Sequence, residues 1–154
     1  MFRPATILFI KFARWAFEKF KGAEDKLGTQ MKAVGEVMSI GKTYKEAFQK
    51  AIRSLERGRY GLGHAKDFDK KTKKELLAML HVPSSERQFI MYEALRKGAT
   101  VDELFELTKI KHYFIQQMKE LVEEEESLIA VLRRGSAGLR FSARRSWTVL
   151  QINI

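Results

Sequence analysis

The stretch from Gly35 to Leu55 constrains the fold of this chain more than any other. Gly35 and Gly41 enclose a short apolar run, and a residue without a side chain lets the backbone turn or approach another segment closely. Thr43 and Glu46 then have the spacing of a capping box, in which each side chain bonds the backbone N–H of the other. The sequence therefore predicts a strand, a glycine turn and a helix.

The predicted helix after Thr43 has one apolar face. Its apolar side chains recur at helical spacing, and we expect the following residues to be buried together: Ala47, Phe48, Ala51, Ile52 and Leu55. A second short strand is predicted upstream, at Ile7–Ile10, from its β-branched and aromatic residues. The basic and apolar character of Met1–Ala13 leaves a membrane-anchoring helix open as an alternative there.

Two segments between these elements and the C-terminal half have mixed character. Trp15, Phe17 and Phe20 either cover a small core or form an aromatic platform for a ligand. Arg57–Asp69 contains three glycines and is interpreted as a linker, with His64 as a lone solvent-facing histidine. The glycines of a phosphate-binding loop follow a strand and open a helix. The glycines of this segment do neither, so the pattern is not that of such a loop.

A lysine-rich helix is predicted over Lys70–Leu80, with its leucines on one side. It ends before Pro83, because a proline disfavours helical backbone in the residue that precedes it. Ser85 and Gln88 have capping-box spacing and predict that the next helix begins there and runs to about Lys97.

The last predicted helices follow Gly98, which stands where a helix C-terminal glycine is expected. Thr100 and Glu103 form a third capping-box pattern and begin a short helix. A longer helix is predicted from about Lys111, with the acidic run Glu123–Glu126 at its far end. We expect its apolar face to comprise Phe114, Ile115, Met118, Leu121 and Val122. The predicted fold class is mainly α, a helical array with a short β element near the N-terminus.

Three motifs carry a resemblance to a known family. Residues 29–42 have the form T-Q-M-K-x-V-G-E-V-M-x-I-G-K and lead into a helix that ends R-x-L-E at Glu56. Residues 83–98 have the form P-x-x-x-R-x-F-x-x-x-E-A-x-R-x-G, and residues 101–114 the form V-x-x-L-F-x-L-T-x-I-x-x-x-F. The chain resembles the large chain of carbamoyl-phosphate synthase, where the first ATP-grasp half ends and a helical oligomerisation domain follows.

This resemblance covers roughly residues 14–126 and predicts a division of the chain. Residues 1–57 would be the C-terminal remnant of the carboxyphosphate ATP-grasp domain, residues 58–69 a linker, and residues 70–132 a truncated oligomerisation domain. Residues 133–154 would be an unmatched basic tail, since residues 127–154 hold five arginines and no acid. The mismatched ends suggest a gene fragment, and we expect residues 127–154 to add little to folding.

The resemblance implies a ligase that makes carbamoyl phosphate from bicarbonate, ATP and glutamine-derived ammonia, for arginine and pyrimidine biosynthesis. The family uses ATP with magnesium or manganese, but the nucleotide and metal residues of its first half would lie upstream of the matched stretch. We therefore predict no catalytic, cofactor-binding or metal residue here, and expect the chain alone to be inactive and not to bind ATP. Lys32 and Glu36 would lie beside the family's active site, or would hold the fold through ion pairs.

The implied partners are the rest of the large chain and the small glutaminase subunit, with self-association left open. No membrane partner is expected, because no apolar run approaches the roughly 20 residues that span a bilayer. The chain has no cysteine, and a cytoplasmic location is expected. The net charge of +10 raises one alternative, a helix-turn-helix DNA-binding module at Thr100–Leu121. The glutamates that follow this segment would repel phosphate, so no nucleic-acid partner is expected.

Overall fold

A computed structural model describes residues 7–19, 21–63 and 68–135. Within these residues, two strands are followed by five α-helices, and a single 3-10 turn (Phe17–Lys19) lies between the strands. The elements are β1 (Leu8–Trp15), β2 (Ala33–Gly41), α1 (Tyr44–Ser54), α2 (Lys73–Met79), α3 (Arg87–Arg96), α4 (Val101–Thr108) and α5 (His112–Gly135). The predicted fold class, mainly α with a short β element near the N-terminus, is confirmed.

The two strands form an antiparallel sheet in which Leu8 lies opposite Gly41. The strand predicted at Ile7–Ile10 exists and is longer than expected, since β1 continues to Trp15. The register shifts near the end of the pair that the connecting loop joins, so that Gly35 lies at an irregularity of β2 and not at a turn. Such an irregularity tolerates glycine well because the extra residue disturbs the ladder locally.

Gly41 fulfils the expectation of a close backbone approach. A Cβ atom at this position would lie 2.7 Å from the backbone nitrogen of Ala47 in the first turns of α1. A Cβ atom at Gly35 would meet nothing within 4 Å. The end of β2 can therefore lie directly against α1 only because Gly41 has no side chain.

We expect Gly41→Ala to lower the free energy of unfolding by about 1–3 kcal/mol, the usual cost of forcing an added group into a packed site. Gly35→Ala is the matched control, and its effect should stay within about 0.5 kcal/mol because the site is open. Chemical denaturation of the two variants checks this. Equal midpoints for both would show that β2 and α1 do not approach each other as closely as described.

The N-terminus of α1 matches the predicted capping box in part. The Thr43 hydroxyl accepts a hydrogen bond from the Glu46 N–H at 3.2 Å. The Glu46 carboxylate, however, accepts from the N–H of Lys42 at 2.8 Å, one residue before the cap. The pKa of Glu46 lies below its usual value, chiefly because its carboxylate accepts a hydrogen bond from the Lys50 ammonium and then because it accepts one from the N–H of Lys42. The predicted buried face of α1, from Ala47 to Leu55, is confirmed.

The other helix starts show one success, one error and one omission. Thr100 and Glu103 form the predicted capping box, with bonds of 2.7 and 3.1 Å. The box predicted at Ser85 is wrong, because α3 begins after Glu86 without a side-chain cap and the Ser85 hydroxyl bonds another loop. Thr72 and Glu75 form a capping box at the start of α2, a pattern that the sequence interpretation missed. Capping fixes where α2 and α4 begin, because it satisfies backbone N–H groups that lack a partner within the helix.

The end of α3 and the length of α5 can also be compared with expectation. Gly98 has the left-handed φ of +84° that the helix C-terminus was predicted to need. Glu123–Glu126 do not lie at the far end of α5, because the helix continues to Gly135. Phe114 was predicted to be buried but is 38% exposed, whereas the other four residues of the predicted apolar face are buried or partly buried in the core.

The chain divides into two compact units, residues 1–122 and residues 123–154. In the first unit, one hydrophobic core takes residues from α1, from the segment between α1 and α2, and from α2 to α5. Leu62 and Phe68, which flank an undescribed stretch of the predicted linker, are 1% and 6% exposed. The described part of the second unit is the C-terminal half of α5, where Leu128, Val131 and Leu132 are exposed.

Candidate functional site: the junction of sheet and helices

The aromatic side chains of α1 join the sheet to the helical array. Phe48 lies 5.7 Å from the ring of Phe12 in β1 and 5.2 Å from the stacked ring of Tyr44. Tyr44 in turn lies 5.2 Å from Phe114 and 6.2 Å from Tyr113, both at the start of α5. Burial, with a smaller contribution from Tyr113, raises the pKa of Tyr44 to about 12. A chain of ring contacts therefore runs from β1 through α1 to α5.

A polar contact also ties the N-terminal loop to the helices. The Asp25 carboxylate accepts hydrogen bonds from the Ser85 N–H at 2.8 Å and the Ser85 hydroxyl at 2.7 Å. The N–H of Leu27 donates to the carbonyl of Pro83 at 2.7 Å. These bonds link residues about 60 positions apart and fix the loop between β1 and β2 against the turn before α3.

The segment after α1 reaches the same turn through Glu86. The Glu86 carboxylate pairs with the guanidinium groups of Arg59 at 3.0 Å and Arg57 at 3.6 Å. Arg59 also lies over the ring of Phe89, 4.0 Å from its centroid. On α1, Gln49 accepts from the N–H of Leu62 at 3.0 Å. The predicted linker is thus bonded to α1 on one side and to α3 on the other.

A buried carboxylate lies on α3, near its C-terminal end. Glu93 on α3 is 3% exposed and pairs with Arg96 at 3.1 Å and Lys97 at 3.8 Å. Lys97 also donates to the backbone carbonyls of Asp69 at 2.6 Å and Lys71 at 2.5 Å. A buried carboxylate needs such partners because burial removes it from water. Through Lys97, the ion pairs of Glu93 therefore connect the turn before α2 to the end of α3.

The two predicted site-adjacent residues, Lys32 and Glu36, have separate partners in the structure. Lys32 donates to the carbonyl of Lys26 at 3.2 Å and lies 5.3 Å from the centroid of the Phe17 ring. Glu36 pairs across the sheet with Lys11 at 2.7 Å, and both side chains are largely exposed. Both residues thus have contacts within the described chain, and among these contacts only that of Glu36 is an ion pair. Their position beside an active site stays a prediction.

The remaining candidates form no further site within the described part of the chain. Trp15 and Phe17 are half-buried with ring centroids 6.2 Å apart, while Phe20 and His64 lie outside the described residues. Within residues 7–19, 21–63 and 68–135, no group of three or more histidine or acidic side chains is placed to hold a metal ion. No helix in the described part of the chain is long and apolar enough to span a bilayer.

The helix-turn-helix alternative has the predicted outline in α4 and α5, with Lys109 in the left-handed conformation between them. His112, which would lead a recognition helix, pairs with Asp102 at 3.1 Å and stacks on Phe105 with centroids 4.1 Å apart. A recognition helix would offer its first residues to base edges. Here the first residue is engaged in contacts with the preceding helix.

The described residues form a helical domain with a two-stranded sheet at its N-terminal end. Residues 36–144 match the family model described as carbamoyl-phosphate synthetase large chain, oligomerisation domain. The chain belongs to this family. The match overturns the expectation that the resemblance stops at residue 126, because it continues to residue 144.

Curated relatives agree with this assignment. The carbamoyl phosphate synthase large chain of Archaeoglobus fulgidus is 50% identical over 127 residues, covering 82% of this chain and 12% of that relative. The arginine-specific large chain of Arabidopsis thaliana, a chloroplastic protein, is 45% identical, over 78% of this chain and 10% of its own length. The N-terminal section of the Methanopyrus kandleri large chain is 42% identical, over 83% of this chain and 23% of its length. The chain thus spans between a tenth and a quarter of these relatives, and the matches support a synthase segment over a DNA-binding module.

Proposed function

We propose that this chain is a scaffold segment of a carbamoyl-phosphate synthase large chain. In this proposal it links the end of the carboxyphosphate ATP-grasp half to the helical oligomerisation domain. The observation that supports it most is the core of the first unit, which continues from α1 through the predicted linker into α2–α5. A segment with one such core can fix the orientation of two neighbouring domains, because a packed interior does not deform gradually.

The contacts at the junction support the same role. Two loops bond to the turn before α3: the loop between β1 and β2 through Asp25 and Ser85, and the segment after α1 through Arg59 and Glu86. The proposed domain division follows the sequence prediction, with residues 1–57 from the ATP-grasp half and residues 70–132 from the oligomerisation domain; the family match to the latter domain is wider and begins at residue 36. Lys32 and Glu36 are proposed to lie near the active site of the assembled large chain, on the resemblance alone.

The activity of the whole large chain is part of the proposal. The whole large chain would act as a ligase on bicarbonate, ATP and glutamine-derived ammonia, with magnesium or manganese bound to the nucleotide. Its product would serve arginine and pyrimidine biosynthesis. The segment would contribute no catalytic group of its own. Association with the small glutaminase subunit, self-association through the oligomerisation domain and a cytoplasmic location rest on the family resemblance.

A chimera tests the proposed function. In the large chain of the Archaeoglobus fulgidus relative, the matched residues are replaced by the corresponding residues of this chain, and carbamoyl phosphate formation is measured. We expect the chimera to retain synthesis, whereas a version with the segment replaced by a flexible glycine-serine linker should lose it. Equal activity of the two proteins would contradict a scaffold role, and so would a folded chimera without synthesis.

A further inference from the structure

The sheet has an apolar face that nothing in the described chain covers. Ile7, Phe9, Met38 and Ile40 are 58%, 58%, 61% and 50% exposed, and Phe9 lies opposite Ile40 in the sheet. We call these four residues the outer face. The other side of the sheet packs on the core through residues such as Ile10 and Phe12.

Both sides of this small sheet are therefore apolar. An antiparallel sheet with one side in water usually alternates apolar and polar residues, whereas strands that are apolar on both sides are typical of sheets covered on both faces. The charged residues on the outer side, Lys11 and Glu36, pair with each other at 2.7 Å. Their charges balance, so this side offers a partner apolar contact and little net charge.

We infer that the outer face is the surface on which the preceding part of the synthase large chain packs, an assignment that rests on the proposed function. The alignment with the Archaeoglobus fulgidus relative covers 82% of this chain, which is more than residues 36–154 can supply. Similarity to the large chain therefore includes residues N-terminal to 36, where the oligomerisation-domain match begins. β1 and the first three residues of β2 precede that match, and this chain spans only 12% of that relative.

A two-stranded sheet is also marginal by itself, and three or more strands or a packed face are needed for a stable element. Here α1 covers one face of the sheet. The remainder of the large chain is the occupant that accounts for the second apolar face, since the described residues span only a small share of the relatives they match. A second copy of this chain is the competing occupant.

Thiol labelling measures whether the outer face is covered, because the chain has no cysteine of its own. Met38→Cys is labelled with a maleimide, and labelling at that position is followed by mass spectrometry in the isolated chain and in the chimera described above. Tyr60→Cys is the control, an exposed residue that lies outside the sheet. We expect Met38→Cys to react at least about tenfold more slowly in the chimera, as covered sites do, and Tyr60→Cys to react at similar rates in both.

The outcomes separate the possible occupants. Fast labelling of Met38→Cys in a chimera that makes carbamoyl phosphate would overturn the assignment of the outer face and leave the proposed function standing. Slow labelling in the concentrated isolated chain, together with a dimer in sedimentation, would overturn it in favour of a second copy. A folded chimera without synthesis would contradict the proposed function itself, and the assignment would fall with it.

Discussion

Replacing Phe48 by alanine is expected to lower the free energy of unfolding by about 3–5 kcal/mol, because the lost burial of the ring adds to the cost of the cavity left behind. Phe48 is 4% exposed and lies between Phe12 of the sheet and Tyr44 of α1. A domain of this size is usually stable by only about 5–15 kcal/mol. The variant should therefore unfold at a much lower denaturant concentration than the parent chain.

Phe9→Ala is the matched control for this experiment, since it removes the same side chain from a position that is 58% exposed. Its effect on the isolated chain should stay within about 0.5 kcal/mol. Chemical denaturation and sedimentation are measured together. If Phe48→Ala left the stability unchanged but abolished an oligomer, Phe48 would belong to an exposed association surface and α1 would not be a buried link.

Replacing Glu93 by glutamine is expected to cost about 3–5 kcal/mol of stability, the usual effect of removing one partner from a buried ion pair. The substitution keeps the shape of the side chain and removes its charge. Arg96 would then lose its 3.1 Å ion-pair partner, while Lys97 would keep its bonds to two backbone carbonyls. Thermal unfolding of the variant measures the effect.

Glu106→Gln is the control for the buried pair. Glu106 pairs with Lys109 at 2.6 Å, but both side chains are about two-thirds exposed. Exposed pairs of this kind contribute only about 0–1 kcal/mol. If both glutamine variants unfolded at the same temperature, the ion pairs of Glu93 would not stabilise the helical array.

The sequence predicts those parts of the fold that depend on neighbouring residues. Thr100 and Glu103 are three positions apart, and the bonds of their capping box follow from that spacing alone. The buried face of α1 follows from helical periodicity in the same way. The Ser85 prediction failed because the hydroxyl bonds Asp25, which lies 60 positions away. Local spacing cannot distinguish a helix cap from a long-range contact.

The contacts of Glu93 and of the predicted linker were not foreseen, for two physical reasons. Glutamate is almost never fully buried, so the burial of Glu93 contradicts the expectation from its residue type. Leu62 and Phe68 flank a glycine-rich segment, and a glycine-rich pattern predicts a linker and gives no indication that its apolar residues reach the core. The length of α5 was underestimated because a run of four glutamates resembles a helix end, although glutamate is a good helix former.

The most direct test of the scaffold role is growth. A bacterial strain without its own synthase large chain would be given either the chimera or the version with the glycine-serine linker, on medium without arginine and uracil. Growth with the chimera, and none with the linker version, is the result that the proposed scaffold role predicts. No growth with a chimera that accumulates to the same level as the intact relative would contradict it.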